Sequence, residues 1–181
     1  MQNLIAQLLR DMGENPERDG LKKTPERWIS AMRELTNGYN DTPEKIVGDA
    51  TFPAENSEMV IIKDIAFHSL CEHHLLPFSG IIHIGYLPLD RIIGFSKIPR
   101  IVEIFSRRLQ VQERLGQEIA EAIDATIKPK GVGVLIESTH FCMAMRGVRK
   151  EGAKAVTTHM RGSFASDTAT REEFLQLVRN G

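Results

Sequence analysis

The sequence predicts an α+β fold built on an antiparallel β-sheet in ββααββ order, with helices on one face of the sheet. Four segments rich in β-branched residues form two pairs, and two helical patterns lie between the pairs. A chain of 181 residues with 41% hydrophobic and 26% charged content suits a single core. We therefore expect one functional domain, with a helical segment and loop over residues 1–57 and a main body over residues 58–181.

The N-terminal segment is predicted to contain two helices and a loop. Apolar residues recur at helical spacing between Leu4 and Met12, which indicates an amphipathic helix. The pair Thr24 and Pro25 matches an N-cap followed by a first helical residue, so we expect a second helix that buries the single tryptophan. Residues 39–57 carry Pro, Gly, Asn and Asp at irregular intervals and are predicted to form a loop.

The body is predicted to begin with one pair of strands and to continue to a second. In chain order the predicted strands read EMVIIKDIAFHS, GIIHIGYLPL, GVGVLIESTHF and GAKAVTTHMRGSF. Two amphipathic helices are predicted between the pairs, the first after Pro99 and the second ending before Lys128 and Pro129. Thr170 and Glu173 match a capping box for a last helix, which we expect to serve in docking or at an interface.

A four-stranded antiparallel sheet of this kind has two open edges and one face without helices. Edge strands expose backbone groups that pair readily with another chain. Association of several copies into a closed ring would cover the edges and protect the bare face. We therefore expect the protein to be a homo-oligomer.

Charge and composition argue against several general classes. A formal net charge of −1 gives no overall attraction to nucleic acid or anionic membranes, so we expect neither as a partner. Arg10 and Asp11 interrupt the N-terminus where a secretory signal would be apolar, and no apolar run is long enough to span a membrane. We expect a cytoplasmic protein, in which Cys71 and Cys142 favour metal binding, with a disulfide as the alternative.

The segment SLCEHHLLPF places a thiol, a carboxylate and two imidazoles just after a predicted strand. Cys71 and His74 are three residues apart, so a turn can direct both at one ion, and Cys142 follows the corresponding strand of the second pair. Two thiolates and one imidazole suit zinc and leave a fourth position for water, as in catalytic sites. The alternative is that both cysteines are small buried residues and that the histidines are hydrogen-bonded in the core.

Further titratable side chains flank these three residues. His73 lies between the first two in sequence, and His140 stands two residues before Cys142. Histidine titrates near neutral pH, which suits general acid or base catalysis. Glu72 can either orient a ligand as a hydrogen-bond acceptor or form an ordinary surface salt bridge.

A group of polar and cationic residues predicts an anion site. Ser96, Lys97 and Arg100 stand at the start of a predicted helix, where free N–H groups favour a phosphate, and Arg146 follows the second metal segment. The alternative is a solvated basic patch. Glu113 opens the next helix, where its carboxylate can either accept two hydrogen bonds from guanine or stabilise the helix N-terminus.

Three segments taken together, CEHHLLPFSG, IIGFSKIPRIVEIFSRRLQVQERL and STHFCMAMRG, strongly resemble the GTP cyclohydrolase I family, and the similarity extends from TPERWISAM to the last helix. The resemblance implies the tunnelling fold, in which subunits assemble into rings. It further implies a homodecamer of two stacked pentamers, with active sites at the subunit contacts. GTP is then the substrate and Zn²⁺ the cofactor.

The resemblance also implies roles for individual residues. The matching zinc ligands are Cys71, His74 and Cys142, the catalytic residues are His73, His140 and Ser96, and the substrate contacts are Glu113, Gln112, Val111, Lys97, Arg100, Arg146 and Arg27. The implied reaction opens the imidazole ring of GTP at C8, releases formate and forms 7,8-dihydroneopterin triphosphate. Ser30 departs from the family pattern, because some members carry a lysine there, and this weakens the expected phosphate-binding role of the first helices.

Other functions remain alternatives on the sequence alone. A different tunnelling-fold purine or pterin enzyme would use a three-histidine zinc site or a nucleophilic cysteine, and the Cys-x-x-His pair argues against both. A zinc nucleobase deaminase needs a Pro-Cys-x-x-Cys segment, which this chain lacks. A non-catalytic zinc scaffold would close its site with four protein ligands, and no third cysteine is available.

Overall fold

This computed structural model describes residues 1–56 and 58–180. Seven strands and eight α-helices lie within them. The strands are β1 (Thr51–Pro53), β2 (Val60–Cys71), β3 (Pro77–Leu87), β4 (Arg91–Ile93), β5 (Leu109–Gln110), β6 (Gly131–His140) and β7 (Ala155–Gly162). The helices are α1 (Gln2–Asp11), α2 (Thr24–Leu35), α3 (Pro43–Val47), α4 (Lys97–Ser106), α5 (Gln112–Ile127), α6 (Phe141–Ala144), α7 (Ser163–Ser166) and α8 (Thr168–Arg179), with a 3-10 helix at Asn37–Asn40.

A five-stranded sheet in the order β5-β2-β3-β6-β7 forms the centre of the molecule, and β1 pairs separately with β4. The long strands are antiparallel: Leu70 of β2 lies opposite Pro77 of β3, and Phe78 of β3 lies opposite His140 of β6. Their many Ile and Val residues favour an extended backbone that packs on both sides. The prediction of an α+β fold with an antiparallel sheet is confirmed.

A two-residue strand departs from the four-stranded expectation. β5 pairs in parallel with the end of β2, so that Gln110 lies opposite Cys71. The side chain of Gln110 donates to the carbonyl oxygen of Phe105 at 3.1 Å and thereby ties β5 to the end of α4. The main elements follow in the chain order β2, β3, α4, α5, β6 and β7, and the short elements β4, β5 and α6 lie between them.

Helices α4 and α5 cover one face of the sheet and form the main core with it. Ile101 of α4 and Leu115 and Ile119 of α5 are fully buried there. Alternate residues of β6, such as Val132 and Val134, point to the same side, as the period of a strand requires. This packing supports β2 up to Cys71 and β6 up to His140, next to which the other candidate metal residues follow in the chain.

The C-terminal helices α7 and α8 lie on the opposite face, so the prediction of helices on one face only is wrong for them. Phe164 and Phe174 are fully buried and meet edge to face at 5.5 Å. Glycines at positions 85 and 133 leave room for these rings, because a Cβ at either would approach an aromatic carbon within 2.7 Å. Asp167, not the predicted capping box, caps α8 by accepting from two of its backbone N–H groups.

The first two helices pack on each other at the surface. The expected buried face is wrong for α2, because none of its residues is buried and Trp28 is 39% exposed. Thr24 belongs to the helix itself, and Lys23 occupies the N-cap position without a side-chain cap. Despite this exposed apolar surface, no helix in the described ranges has the length and apolarity needed to cross a bilayer.

The stretch predicted as a loop contains short elements instead, namely a 3-10 helix, α3 and β1. The hydroxyl of Thr42 accepts from the backbone N–H of Lys45 and so caps α3, whose first residue is Pro43. Gly48 ends this helix with a φ of 55°, a conformation that favours glycine. Such signals were present in the sequence, but five residues are too few to show a helical period.

Candidate metal centre and active site

Three strands bring the candidate metal ligands together at one end of the sheet. β3 lies between β2 and β6, so the last residue of β2, Cys71, comes close to the segment that follows His140. That segment is α6, which carries Cys142. One ligand atom each of Cys71, His74 and Cys142 lies within 4.8 Å of the other two, and the Sγ of Cys71 is 3.9 Å from the Nδ1 of His74.

A tight turn after β2 directs Cys71 and His74 at the same point. The backbone N–H groups of His74 and Leu75 both donate to the carbonyl oxygen of Cys71, at 3.3 and 2.8 Å. Leu75 adopts a φ of 54°, which reverses the chain, and the N–H of Cys71 donates to Leu76 across the turn. This local geometry is why the three-residue spacing brings both ligands to one side.

The charges at this centre fit a divalent cation. Both cysteines are free thiols. Burial raises the pKa of the Cys142 thiol, and the neighbouring Cys71 thiol raises it further, whereas Arg146 acts in the opposite direction. A raised pKa favours the protonated thiol, whereas a divalent metal binds the thiolate and so favours loss of the proton. Two sulfur ligands with one imidazole are suited to zinc. The residues present therefore fit the zinc site that the sequence predicts.

Glu72 connects the metal turn to α5. Its carboxylate forms an ion pair with Arg114, which lowers the pKa of Glu72. Arg114 also donates to the carbonyl oxygen of Leu109 and to the side chain of Gln110, both at 3.0 Å. Of the two roles that the sequence left open for Glu72, the structure has the salt bridge, and this salt bridge anchors the turn.

The two candidate catalytic histidines flank the metal group in different environments. His73 is largely exposed, and its Nδ1 is 4.0 Å from the Sγ of Cys71. His140 is partly buried and stacks on Phe78, with the ring centroids 4.6 Å apart and the planes 4° apart. Burial lowers the pKa of His140, and the charge of Glu113 acts in the opposite direction.

Gln112, predicted as a substrate contact, has a side chain that is already engaged with the protein. It is 3% exposed, and its Oε1 lies 2.9 Å from the Nε2 of His140. Sequence reasoning missed this contact and the stacking of Phe78 on His140. Nothing in the local pattern indicated either of them, because both depend on the pairing of distant segments.

The predicted phosphate residues lie on three separate elements. Lys97, in the first turn of α4, donates from Nζ to the carbonyl oxygen of Ile46 at 2.8 Å and so points towards α3. Arg100 lines a cavity of about 430 Å³ together with residues of the 3-10 helix and Glu103. Only Arg146 lies close to the metal group, and Arg27 is exposed on α2.

Within one chain, α4 separates its predicted phosphate residues from the metal end. The last residue of α4 leads through two residues to β5, which pairs beside Cys71. A ten-residue helix is about 15 Å long, so the first turn, with Ser96 as its N-cap, lies farther away. Within the described residues, the candidate metal ligands, His73 and His140 lie at one end of the sheet, and the predicted phosphate residues of α4 lie at the far end of that helix.

Glu113 and Val111 stand at the start of α5. Val111 is its N-cap and has an extended backbone, and Glu113 is exposed in the first turn. Glu113 lines a cavity of about 280 Å³ between α5 and the strands β6 and β7, next to Gly116 and His159. The carboxylate is thus available to a ligand at the surface of this chain.

Comparison with known proteins gives a consistent result over the whole chain. The GTP cyclohydrolase I family matches residues 1–179. A human GTP cyclohydrolase 1 is 55% identical over 175 residues, which covers 97% of this chain and 70% of the human protein. GTP cyclohydrolase 1 from Leptospira biflexa is 51% identical over 181 residues and covers 100% of this chain and 99% of the relative.

A solved structure shares the fold at much lower identity. The apo form of the archaeosine synthase QueF-Like superposes with a TM-score of 0.50 at 18% identity, and the match covers 60% of this chain and 97% of that one. This likeness shows the fold alone, whereas the two GTP cyclohydrolase 1 matches, at 51% and 55% identity, extend over 97% or more of this chain. The chain belongs to the GTP cyclohydrolase I family of enzymes.

Proposed function

We propose that this enzyme uses zinc to convert GTP and water into formate and 7,8-dihydroneopterin triphosphate. The observation that carries the proposal is the group of Cys71, His74 and Cys142, whose ligand atoms lie within 4.8 Å of one another. Two histidines flank this group, and one of them is held in a fixed orientation. A non-catalytic zinc scaffold has no need of such histidines and would use a fourth protein ligand.

The three ligands would hold zinc with one coordination position free, and the ion would act as a Lewis acid that makes a water molecule more acidic. His140 and His73 exchange protons with the purine, and N7 is the atom whose protonation makes C8 a better electrophile. Ser96 assists proton transfer in the later rearrangement of the ribose. In these roles the two histidines act on the purine ring, and Ser96 acts on the ribose.

Substrate recognition is proposed to come from the start of two helices. Glu113 accepts hydrogen bonds from the N1–H and exocyclic amine of guanine, and Val111 contributes backbone contacts beside it. The triphosphate is bound by a set of cationic side chains, Lys97, Arg100, Arg146 and Arg27, with Ser96 at the start of α4. Arg146 lies near Cys142 in the same chain, whereas the first turn of α4 lies at the far end of that helix, so the contacts of Ser96, Lys97 and Arg100 would come from a second copy of the chain.

The proposed assembly is the tunnelling-fold homodecamer of two pentamers. Its support in this structure is a sheet whose outer strands are the two-residue β5 and the unburied β7, which leaves edges for neighbouring copies. A second copy would then bring its α4 to the metal end of the first. The mass of the protein in solution tests this assembly, and a stable monomer would contradict it.

The reaction is tested by incubating the zinc-loaded protein with GTP and measuring formate together with the fluorescence of the oxidised pterin. We expect Cys142→Ala to abolish formate release and to lower the zinc content, because it removes one of three ligands. Met143→Ala, in the same short helix, is the matched control and should retain both. Zinc-loaded wild type that releases no formate from GTP would reject the proposal and favour another purine or pterin substrate.

A further inference from the structure

The amide of Gln112 has an orientation that its surroundings determine. Its Nε2 lies 3.2 Å from the carbonyl oxygens of Ile136 and Ala155, and 3.1 Å from the Oγ1 of Thr157. Backbone carbonyls only accept hydrogen bonds, so the atom that faces them must be the NH₂ group. The opposite assignment would place an amide oxygen against two carbonyl oxygens in a buried site, which is unfavourable.

This orientation decides which nitrogen of His140 carries the proton. Oε1 of Gln112 accepts from the hydroxyl of Ser138 and faces the Nε2 of His140 at 2.9 Å. An amide oxygen cannot donate, so the contact is a hydrogen bond only when His140 bears a proton on Nε2. In the neutral imidazole the other nitrogen, Nδ1, then has the free lone pair.

The ring of His140 is also held in this plane. Phe78 stacks on it almost parallel, at 4.6 Å between centroids, and β3 fixes Phe78 opposite His140 in the sheet. Rotation of the imidazole by half a turn would remove the hydrogen bond to Gln112 and place a ring carbon against its oxygen. Within the described residues, no hydrogen bond is made by Nδ1 of His140, so this atom is the one left for exchange with another molecule.

We infer that Gln112 is a positioning residue that fixes the ring of His140 with Nε2–H donated to its own Oε1, so that Nδ1 is the ring atom presented to the substrate. The tautomer follows from the geometry of this chain, and its catalytic consequence rests on the proposed function. While Nε2–H stays bonded to Gln112, Nδ1 is the ring nitrogen that can form a hydrogen bond with a substrate atom. This role differs from the direct substrate contact predicted for Gln112.

The tautomer is tested first, without any activity measurement. Solid-state ¹⁵N NMR of the histidine-labelled, zinc-loaded protein distinguishes protonated from unprotonated ring nitrogens, and subtraction of the His140→Asn spectrum assigns the signals. The expected result at a pH of about 8, where an ordinary histidine is neutral, is a protonated Nε2 and an unprotonated Nδ1. A protonated Nδ1 would overturn the inference, whether or not the enzyme releases formate.

The catalytic consequence is tested by comparing Gln112→Met with Ser138→Ala. Methionine keeps the length of the side chain but provides no amide oxygen, so we expect kcat to fall about 10- to 100-fold, as for other residues that orient a reacting group. KM should change little. Ser138→Ala removes a hydrogen bond from the same oxygen and leaves the bond to His140, so its kcat should stay at the wild-type value.

The outcomes distinguish three cases: Gln112 positions His140, Gln112 contacts the substrate directly, or the proposed function is wrong. A rise in KM with kcat retained in Gln112→Met would overturn positioning, because it is the result of losing a substrate contact. An equal fall of kcat in Ser138→Ala would overturn it as well, since that loss would belong to the buried network in general. Wild type with the expected tautomer but no formate release would reject the proposed function and leave the tautomer assignment standing.

Discussion

The geometry of the metal turn depends on one guanidinium group. Arg114 bonds at once to the carboxylate of Glu72, to the carbonyl oxygen of Leu109 and to the side chain of Gln110. Glu72 directly follows Cys71 in the turn, so this guanidinium connects the candidate metal ligands to the start of α5. A planar guanidinium can reach several acceptors in fixed directions, which an ammonium group cannot do.

Arg114→Lys is therefore expected to weaken zinc binding although it preserves the charge. We expect an affinity loss of about tenfold, since residues that orient metal ligands typically contribute 10- to 100-fold. Competition with a chromophoric chelator measures this loss. Arg107→Lys is the matched control, because the one side-chain pairing of Arg107 within the described residues is a 4.0 Å contact with Glu103. Equal zinc affinity of both variants and wild type would mean that the backbone hydrogen bonds of the turn suffice without Arg114.

The candidate metal group could be predicted from sequence because its chemistry is rare and the spacing of two of its members is short. Cys71 and His74 lie in one turn, and Cys142 follows the corresponding strand of the second predicted pair. The partners of His140 could not be predicted in this way. Phe78 and Gln112 reach His140 only through the pairing of β3 with β6 and the packing of α5, contacts between segments far apart in sequence.

Among the elements, β6 shows how glycines decide which helix packs on which face. The side of β6 that carries Gly133 receives Phe164 of α7, and a Cβ at Gly133 would lie 2.5 Å from a carbon of that ring. Phe164 is fully buried against Phe174, so its ring has no free space into which it can move. The residue on the sheet must therefore remain small.

Gly133→Ala is expected to destabilise the fold by about 1–3 kcal/mol, the usual cost of overpacking a close-packed interior. Urea unfolding measures the change. The double variant Gly133→Ala with Phe164→Leu should recover part of the loss, because the smaller side chain makes room for the added methyl group. Gly147→Ala does not test packing, since nothing lies within 4 Å of that position, but its φ of 61° makes it a control for backbone strain alone. Unchanged stability of Gly133→Ala would reject tight packing of α7.

The long elements could be predicted because their patterns extend over many residues. The strands of the body and the helices α4 and α5 repeat their apolar periods several times. The short elements β1, β4 and β5 have only two or three residues each, and they exist because a partner strand lies alongside. The position of α8 on the second face could not be predicted either, since it follows from the space above glycines rather than from the helix itself.

At the scale of the whole molecule, a single chain leaves apolar surface and sheet edges uncovered. Leu4 of α1 is 72% exposed, Phe95 before α4 is 67% exposed, and Val156 on the edge strand β7 is 58% exposed. Surfaces of this kind are typical of proteins that associate. Arg100, in the first turn of α4, is also exposed.

If the active site is shared between chains, two different inactive variants should restore each other when they assemble together. In a shared site, one chain supplies the metal half, which contains Cys142, and its neighbour supplies the phosphate half, which contains Arg100. Cys142→Ala lacks an intact metal half and Arg100→Ala lacks an intact phosphate half, so each is expected to be inactive alone. Random co-assembly of equal amounts should give about one quarter of the wild-type formate release, because that share of sites joins two intact halves from neighbouring chains.

Co-expression with two different affinity tags and sequential purification provides the mixed assemblies. The matched control combines Cys142→Ala with His74→Ala, two variants of the same half, which should stay inactive in every arrangement. Recovery in the first mixture and not in the control would establish that one chain supplies zinc and its neighbour supplies phosphate contacts. Inactivity of both mixtures, with co-assembly verified by mass, would place Arg100 and Cys142 in the same site of one chain and would require α4 to move towards the metal end when GTP binds.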